Sequence, residues 1–261
     1  MNIIVCIKQV PNTNEVKIDP KKGTLIREGV PSIINPEDKH GLEEAIRLKG
    51  KVGGKVTVLT MGPPQAKVAL KEALAMGADE AILVSDRAFA GSDTLATSYV
   101  LSKAIEKIGS FDIIFCGRQA IDGDTAQVGP QIAENLQISQ VTYATKFEMN
   151  GELIEIRRAL EDGYSVVETK LPVLVTVLDK INKPRYPSIK GVVNAFSKSE
   201  IKVLSAADIS LDEERLGLDG SPTKVKKTFV PTHEKMGEIL DGTPEEKVSK
   251  LINILKDVKI V

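Results

Sequence analysis

The sequence predicts an α/β fold: a doubly wound, mostly parallel sheet with an antiparallel extension and a C-terminal partner-binding arm. Three observations predict it. Four short apolar runs, at residues 2–8, 55–61, 80–84 and 112–115, are nearly continuous rather than alternating, the pattern of strands covered on both faces. Helical apolar stripes separate these runs at a spacing that suits right-handed crossovers. After Leu136 the runs alternate and are joined by Asn150-Gly151 and Asp162-Gly163, which favour tight hairpin turns.

In order, Asn2 to Lys8 is the first core strand. Residues 15–27 alternate about Pro20-Lys21-Lys22-Gly23, which predicts a small hairpin excursion. Asn35 precedes Pro36 at a first helical position, Leu42, Ala45 and Ile46 form the stripe of a helix running to about Lys51, and Gly53-Gly54 closes it. The second strand ends in Gly62-Pro63-Pro64. Between residues 65 and 76, Ala66, Ala69, Leu70, Ala73 and Leu74 mark a helix capped by Gly77, and the third strand follows. Asp93-Thr94 can cap the next helix, whose stripe is Leu101, Ala104, Ile105 and Ile108, and the fourth strand comes after it. Residues 142–149, 153–159 and 164–170 read as a meander, and Val173 to Val177 returns to a core run.

Residues 182–231 are rich in Pro, Lys, Ser and Gly, with apolar residues too sparse for a core of their own. The expected division is therefore a nucleotide-binding domain over 1–181 and an arm with a terminal helix over 182–261. That helix opens with a capping box, Thr243-Pro244-Glu245-Glu246, and carries Val248, Leu251, Ile252 and Leu255 on one face that needs covering.

Bulk properties exclude several functions. A net charge of -1 from 35 basic and 36 acidic residues gives no electrostatic case for nucleic acid or an acidic membrane. Aromatics at 4% and no Trp leave no stacking platform for single strands. The two cysteines, Cys6 and Cys116, fall in or at the ends of core strands, as small buried thiols do in a reduced, cytoplasmic protein. The chain enters its first strand without a basic leader and has no apolar run near 20 residues, so no membrane insertion is expected.

The organising stretch is Cys116-Gly117-Arg118-Gln119-Ala120-Ile121-Asp122-Gly123-Asp124-Thr125-Ala126-Gln127-Val128-Gly129-Pro130, read as strand end, polar loop and helix start. Free amides and the positive end of a helix suit a phosphate or pyrophosphate there. An ordinary strand-to-helix connection has the same outline, and neither Gly-x-Gly-x-x-Gly nor a Walker loop is present. Sites in such sheets lie beyond the carboxyl ends of the strands, so Cys6 to Val10, Thr60, Met61 and Gly62 to Pro64, Ser92 to Thr97 and this loop should converge. No catalytic acid, base or nucleophile is expected. Counting a calcium loop from Asp122 places Ala126 and Ala133 where oxygen ligands belong, so no metal is expected either. His40 and His233 read as solvated, non-catalytic histidines. Asp93-Thr94 and Thr97 read both as a cap and as donors to a ligand.

Val5-Cys6-Ile7-Lys8-Gln9-Val10-Pro11-Asn12-Thr13, Asn35-Pro36-Glu37-Asp38 leading into Leu42-Glu43-Glu44-Ala45, the organising loop, and Leu171-Pro172 through Asn182-Lys183-Pro184-Arg185-Tyr186 together resemble the β subunit of electron transfer flavoprotein. The resemblance covers nearly the whole chain in the family's order. It implies a flavodoxin-like, adenine-nucleotide-binding sheet and an obligate α-subunit partner carrying FAD. Conventional members hold structural AMP in β and carry electrons between dehydrogenases and a quinone reductase. A FixA-like, electron-bifurcating branch holds a second FAD there, oxidises NADH, and sends electrons to ferredoxin or flavodoxin and, through the α flavin, to an acyl-CoA dehydrogenase or related enzyme. The stretches Thr60 to Ala66, Gly91 to Ser98 and Asp122 to Pro130 resemble that branch, and a flavin would explain the missing acid and base.

Carried over by position, Cys6, Ile7, Lys8, Asn35 and Asp38 lie around the adenosine end. Asp122, Gly123, Asp124, Thr125, Ala126, Gln127, Val128 and Gly129 lie around the phosphates. Thr94, Thr97 and Ser98, behind Asp93, face the ribityl or ring, and Met61 to Pro64 border the nicotinamide approach. Arg185, Tyr186 and Ile189 resemble the docking loop for the acceptor dehydrogenase, with Ile189 as its apolar anchor. The rival readings are a nucleotide-stabilised structural subunit and a nucleotide-sensing domain of similar fold; an arm without a core argues against a stand-alone sensor.

Overall fold

A computed structural model describes residues 1–12, 31–151, 153–226, 237 and 239–259. The hairpin expected at residues 15–27 and His233 lie outside the described residues. β1 (Asn2–Cys6) leads to β2 (Gln9–Pro11), which pairs antiparallel with β3 (Ser32–Ile34) as a separate ribbon. Then follow α1 (Pro36–Val52), β4 (Lys55–Met61), α2 (Lys67–Met76), β5 (Glu80–Val84), α3 (Thr94–Ile108), β6 (Ile113–Gly117) and α4 (Val128–Leu136). The meander is β7 (Ser139–Asn150), β8 (Leu153–Leu160) and β9 (Gly163–Thr169), and β10 (Val173–Val177) returns to the centre. α5 (Ile189–Ser197), β11 (Lys202–Leu204) and α6 (Pro244–Asp257) complete the chain.

One nine-stranded sheet has the order β11-β5-β4-β1-β6-β10-β7-β8-β9. Every pair from β11 to β7 is parallel, and β7-β8-β9 are antiparallel, so the sheet is mixed as the sequence predicts. Side chains alternate between two cores. Ile3, Val5, Val56, Val58, Ile113 and Phe115 meet α1 and α2, whereas Ile4, Leu59, Ile82 and Ile114 meet α3 and α4. The central strands are apolar throughout because both faces are covered.

The described chain divides into two compact units, and the break falls after Lys226 rather than at 181/182. Residues 182–226 are sparse in apolar side chains, yet those few fall where the sheet and helices can take them. β11 pairs parallel with β5, and Leu204, Ile209 and Leu216 join the core beside α3. α5 lies on α2 so closely that a Cβ at Gly191 would run into the carbonyl oxygen of Ala75. Lys71 Nζ fastens its far end, donating to the Ala195 carbonyl at 2.6 Å and to that of Ser199. Residues 182–226 thus share the domain's core.

The second unit carries α6, whose capping box forms as expected: Glu246 N donates to Thr243 Oγ1 at 3.4 Å and Thr243 N to Glu246 Oε2 at 2.9 Å. Val248, Leu251 and Ile252 are exposed on it. Among the described residues, no helix is long and apolar enough to cross a membrane.

Candidate functional site

β1 sits beside β4 on one side and β6 on the other, with the chain winding outward from β1 to β5 before crossing back to β6. The strand order reverses between β1 and β6, and the crevice beyond their carboxyl ends is where α/β sheets bind ligands. Cys6 and Cys116 are register partners at its floor. The residues that follow each strand form its walls.

Asp38, in the first turn of α1, spans the crevice. Its Oδ2 accepts the N–H of Lys8 at 2.7 Å and its Oδ1 that of Gly117 at 3.1 Å, so one carboxylate holds the exits of β1 and β6 together. Burial raises its pKa to about 7, against the lowering effect of hydrogen bonds from Asn35, Lys8 and Gly117. Gly117 is required here: a Cβ would overlap Asp38 Oδ1 and lie 2.8 Å from Asp38 N.

Asn35, fully buried, ties the loop to the same wall. Its Nδ2 donates to Gln119 O at 2.8 Å, its Oδ1 accepts Ile121 N at 3.1 Å, and its own N–H donates to Lys8 O at 2.8 Å. Glu37 adds two contacts, accepting Gln119 N at 3.0 Å and pairing with Arg118 Nη2 at 3.0 Å. Lys8 Nζ crosses to Asp122 Oδ1 at 2.6 Å, and Gln119 Nε2 donates to Asp124 Oδ1.

Beyond these ties the loop opens its amides. Asp124 and Ala126 adopt left-handed backbone, with φ 52° and 53°, a conformation that costs a non-glycine residue about 1–3 kcal/mol and marks functional loops. α4 then starts without a side-chain cap, and the N–H groups of Ala126, Val128 and Gly129 make no hydrogen bond among the described residues. Amides without a partner, beside left-handed residues, at a helix N-terminus and next to a lysine, fit a phosphate or pyrophosphate. Of the two nearby carboxylates, Asp122 is offset by the Lys8 ammonium, while Asp124 accepts from the neutral Gln119 amide and keeps its charge. Gly123 leaves open space, a Cβ there meeting only Lys8 Nζ at 3.9 Å. Gly129 serves a different purpose: a Cβ on it would lie 2.8 Å from Thr176 Cγ2, so it lets α4 pack on β10.

The α3 side is partly as expected. Thr94 Oγ1 donates to Gln127 Oε1 at 3.0 Å, bringing the start of α3 to the phosphate loop. Asp93 caps α3, accepting Leu95 N at 2.9 Å and Ala96 N at 3.1 Å on Oδ1, while Oδ2 accepts Thr223 N at 3.0 Å and Thr223 Oγ1 at 2.7 Å. Burial would raise its carboxyl, but these bonds outweigh it and hold the group below the usual carboxylate range. Thr97 is half-buried in the first turn, whereas Ser98 is fully buried, donates to Leu95 O at 2.9 Å and lies against Asn135 of α4. Ser98 therefore faces the α3–α4 seam.

On β4, Met61 is half-buried, Gly62 N donates to Val84 O at 3.0 Å, and the buried Thr60 hydroxyl has no partner among the described residues. Ile7 is buried and donates its N–H to Leu59 O at 2.9 Å. Ile7 and Thr60 are thus buried, whereas Met61 and Gly62 are partly exposed at the end of β4. His40 is half-buried rather than freely solvated: its Nδ1 lies 3.0 Å from Asn182 O, which makes it a tie between α1 and the segment after β10. Among the described residues no cluster of three metal-ligating side chains occurs.

The segment expected to dock a partner is a separate surface. Arg185 is held against Glu43, while Tyr186 and Ile189 project at 90% and 88% exposure, and Val193 and Phe196 continue the apolar face along α5. Sequence reasoning missed Glu37, Glu43 and Asn182 as site-building residues. Glu37 and Glu43 lie in stretches already quoted for the resemblance, but as helix residues their targets are 82 and 142 positions away.

Residues 22–209 match the electron transfer flavoprotein domain family. Electron transfer flavoprotein subunit beta of Thermoanaerobacterium thermosaccharolyticum is 62% identical over 261 residues, 100% of both chains. The caffeyl-CoA reductase-Etf complex subunit CarD of Acetobacterium woodii is 49% identical over 263 residues, again 100% of both. Protein FixA of Azotobacter vinelandii is 47% identical over 250 residues, 93% of this chain and 89% of its own. Matched along its whole length by such relatives, and with its polar strand-to-helix loop at the switch point of the sheet, the chain belongs to the electron transfer flavoprotein β-subunit family.

Proposed function

We propose that the chain is the FAD-binding β subunit of a cytoplasmic heterodimeric electron transfer flavoprotein, working with an α subunit that carries its own FAD. When bound, the flavin supplies hydride acceptance from NADH and divides the electrons between ferredoxin or flavodoxin and, through the α flavin, an acyl-CoA dehydrogenase or related enzyme. The residues of this chain bind and orient. The free amides of Ala126, Val128 and Gly129 and the Lys8 ammonium take the phosphates, and Asp38 with Asn35 keeps the two strand exits at a fixed separation. Thr94 and Thr97 offer hydroxyls on the side toward which a ligand longer than AMP extends.

The observation that carries the nucleotide reading is the uncapped start of α4 beyond two left-handed residues. A relative named FixA fits the FixA-like branch of the resemblance, and one named for a caffeyl-CoA reductase complex supports an acyl-CoA-directed partner. A second reading, AMP in β with electron transfer confined to α, is favoured by one observation: Asp93 already occupies the first free amides of α3, so that helix start offers a ligand only side-chain hydroxyls.

Acid extraction of the purified αβ complex, with chromatography and absorbance, separates the two. Two FAD per heterodimer without AMP, together with bleaching by NADH, is the expected result. One FAD plus one AMP would overturn the bifurcating assignment and leave a conventional carrier.

A further inference from the structure

The chain has two cysteines in 261 residues, and the fold sets them side by side. Cys6 ends β1, Cys116 lies in β6, and they are direct register partners on adjacent parallel strands. Both belong to the layer under α3 and α4, so their side chains leave the sheet on the same face. Cys116 is buried and Cys6 half-buried. Two buried thiols can be plain core filler, but filler needs neither adjacency nor partial exposure of one member.

We infer that Cys6 and Cys116 form a dithiol site, closing to a reversible cross-strand disulfide at the floor of the nucleotide crevice. The spacing permits it. Neighbouring strands lie ~4.8 Å apart, inside the Cα window of about 4.4–6.8 Å that a disulfide accepts. Side chains leaving parallel strands on one face keep roughly that separation at Cβ, whereas a relaxed disulfide needs about 3.5–4.5 Å. Closure draws β1 and β6 together, and a strained bridge of this kind is easily reduced again.

The step balances with a two-electron thiol oxidant of the azodicarboxamide class. The more exposed Cys6 sulfur adds to one nitrogen of the N=N bond. The Cys116 sulfur then attacks the Cys6 sulfur; the S–N bond breaks as the S–S bond forms, and both thiol protons finish on the resulting hydrazine. Contact with Cys6 and burial hold the Cys116 thiol well above the ordinary range, so closure accelerates as pH rises.

The consequence falls on the nucleotide. Gly117 follows Cys116 directly and Lys8 lies two residues beyond Cys6, and the amides of these two residues are the ones Asp38 holds. A bridge that narrows the gap below that clasp shifts the phosphate loop.

The test treats the purified αβ complex, nucleotide in place, with diamide, then quenches with iodoacetamide and digests without reductant. The expected result is a Cys6–Cys116 linked peptide, loss of both β thiols, recovery of both with dithiothreitol, and faster release of the β nucleotide from the bridged form. Cys6→Ser should abolish the linked peptide, and because Cys6 is the more exposed member this variant keeps the core; Cys116→Ser should leave a single diamide-reactive thiol. A Cys6 adduct without the linked peptide, no reaction in the native complex, or a bridge formed only after denaturation would each overturn the proposal.

Discussion

Arg185 lays its guanidinium across the carboxylate of Glu43, with Nε 2.8 Å from Oε2 and Nη2 3.2 Å from Oε1, and its own backbone N–H reaches Oε2 at 3.1 Å. Arg47 completes the set with Nε 2.7 Å from Oε1. Burial would raise the Glu43 carboxyl, but the two arginines hold it below the usual carboxylate range. Glu43 stands on the helix whose first turn carries Asp38, and Asn182 adds a second tie by donating to Glu44 Oε2 at 2.9 Å. The Asp38 clasp between the two strand exits and the root of the proposed docking segment are therefore fixed to one helix.

Removing the Arg185 side chain leaves a buried acceptor short of partners, which costs about 1–3 kcal/mol. Arg185→Ala should lower the melting temperature of the complex and weaken electron delivery to the acceptor. Arg185→Lys, which keeps the charge but not the fork, should fall between. A double-mutant cycle with Glu43→Gln measures the coupling, and additive effects would show that the pair does not fasten the segment.

Asp38 predicts a pH dependence with a defined sign. Its native pKa is about 7 and that of an unfolded aspartate ~3.9, so between these values the native state binds the extra proton. Its contribution is most favourable at the acid end and declines as pH rises through that window, by at most about 1.4 kcal/mol per pH unit. Asp38→Asn removes the titration and loses one of the two amide acceptors. Urea denaturation at several pH values should show a flatter profile for the variant; parallel profiles would contradict the buried carboxyl.

Gly117 and Gly123 should separate architecture from ligand binding. Gly117→Ala drives a Cβ into Asp38 and should destabilise the domain by about 1–3 kcal/mol while releasing nucleotide. Gly123→Ala meets only the flexible end of Lys8, so the melting temperature without added nucleotide should hold while retention weakens. Equal stability of both variants would mean the Asp38 clasp is dispensable.

Ile189 is 88% exposed, and Ile189→Ala should leave stability unchanged. A docking anchor predicts a several-fold rise in the apparent KM for the acceptor dehydrogenase, with reduction of the flavin by NADH unaffected. An unchanged KM would assign the exposed face of α5 to some other purpose.

The helices and core strands were legible because burial on two faces writes a local period: β1, β4, β5 and β6 could be placed from their apolar runs alone. Pairing was not legible. Nothing near Val173 announces that β10 inserts between β6 and β7, and three residues at Lys202–Leu204 carry no period by which to recognise β11. The candidate loop was visible as a polar strand-to-helix junction, but the burial of Ser98 was not, because helical spacing identifies a face only once its neighbour, here Asn135, is known. His40 was misjudged for the same reason, its partner lying 142 residues away.

The late arrival of β11 bears on how the chain is made. β5 is an apolar parallel strand whose outer edge is completed by Lys202–Leu204, about 120 residues further along. During synthesis at about 5–20 residues per second, that edge waits roughly 6 to 24 s after β5 emerges from the ribosome. For that interval the nascent sheet displays an unpaired strand, the template on which chains pair wrongly. The short parallel strand that ends the nine-stranded sheet is thus also the segment whose arrival closes the window for misassembly.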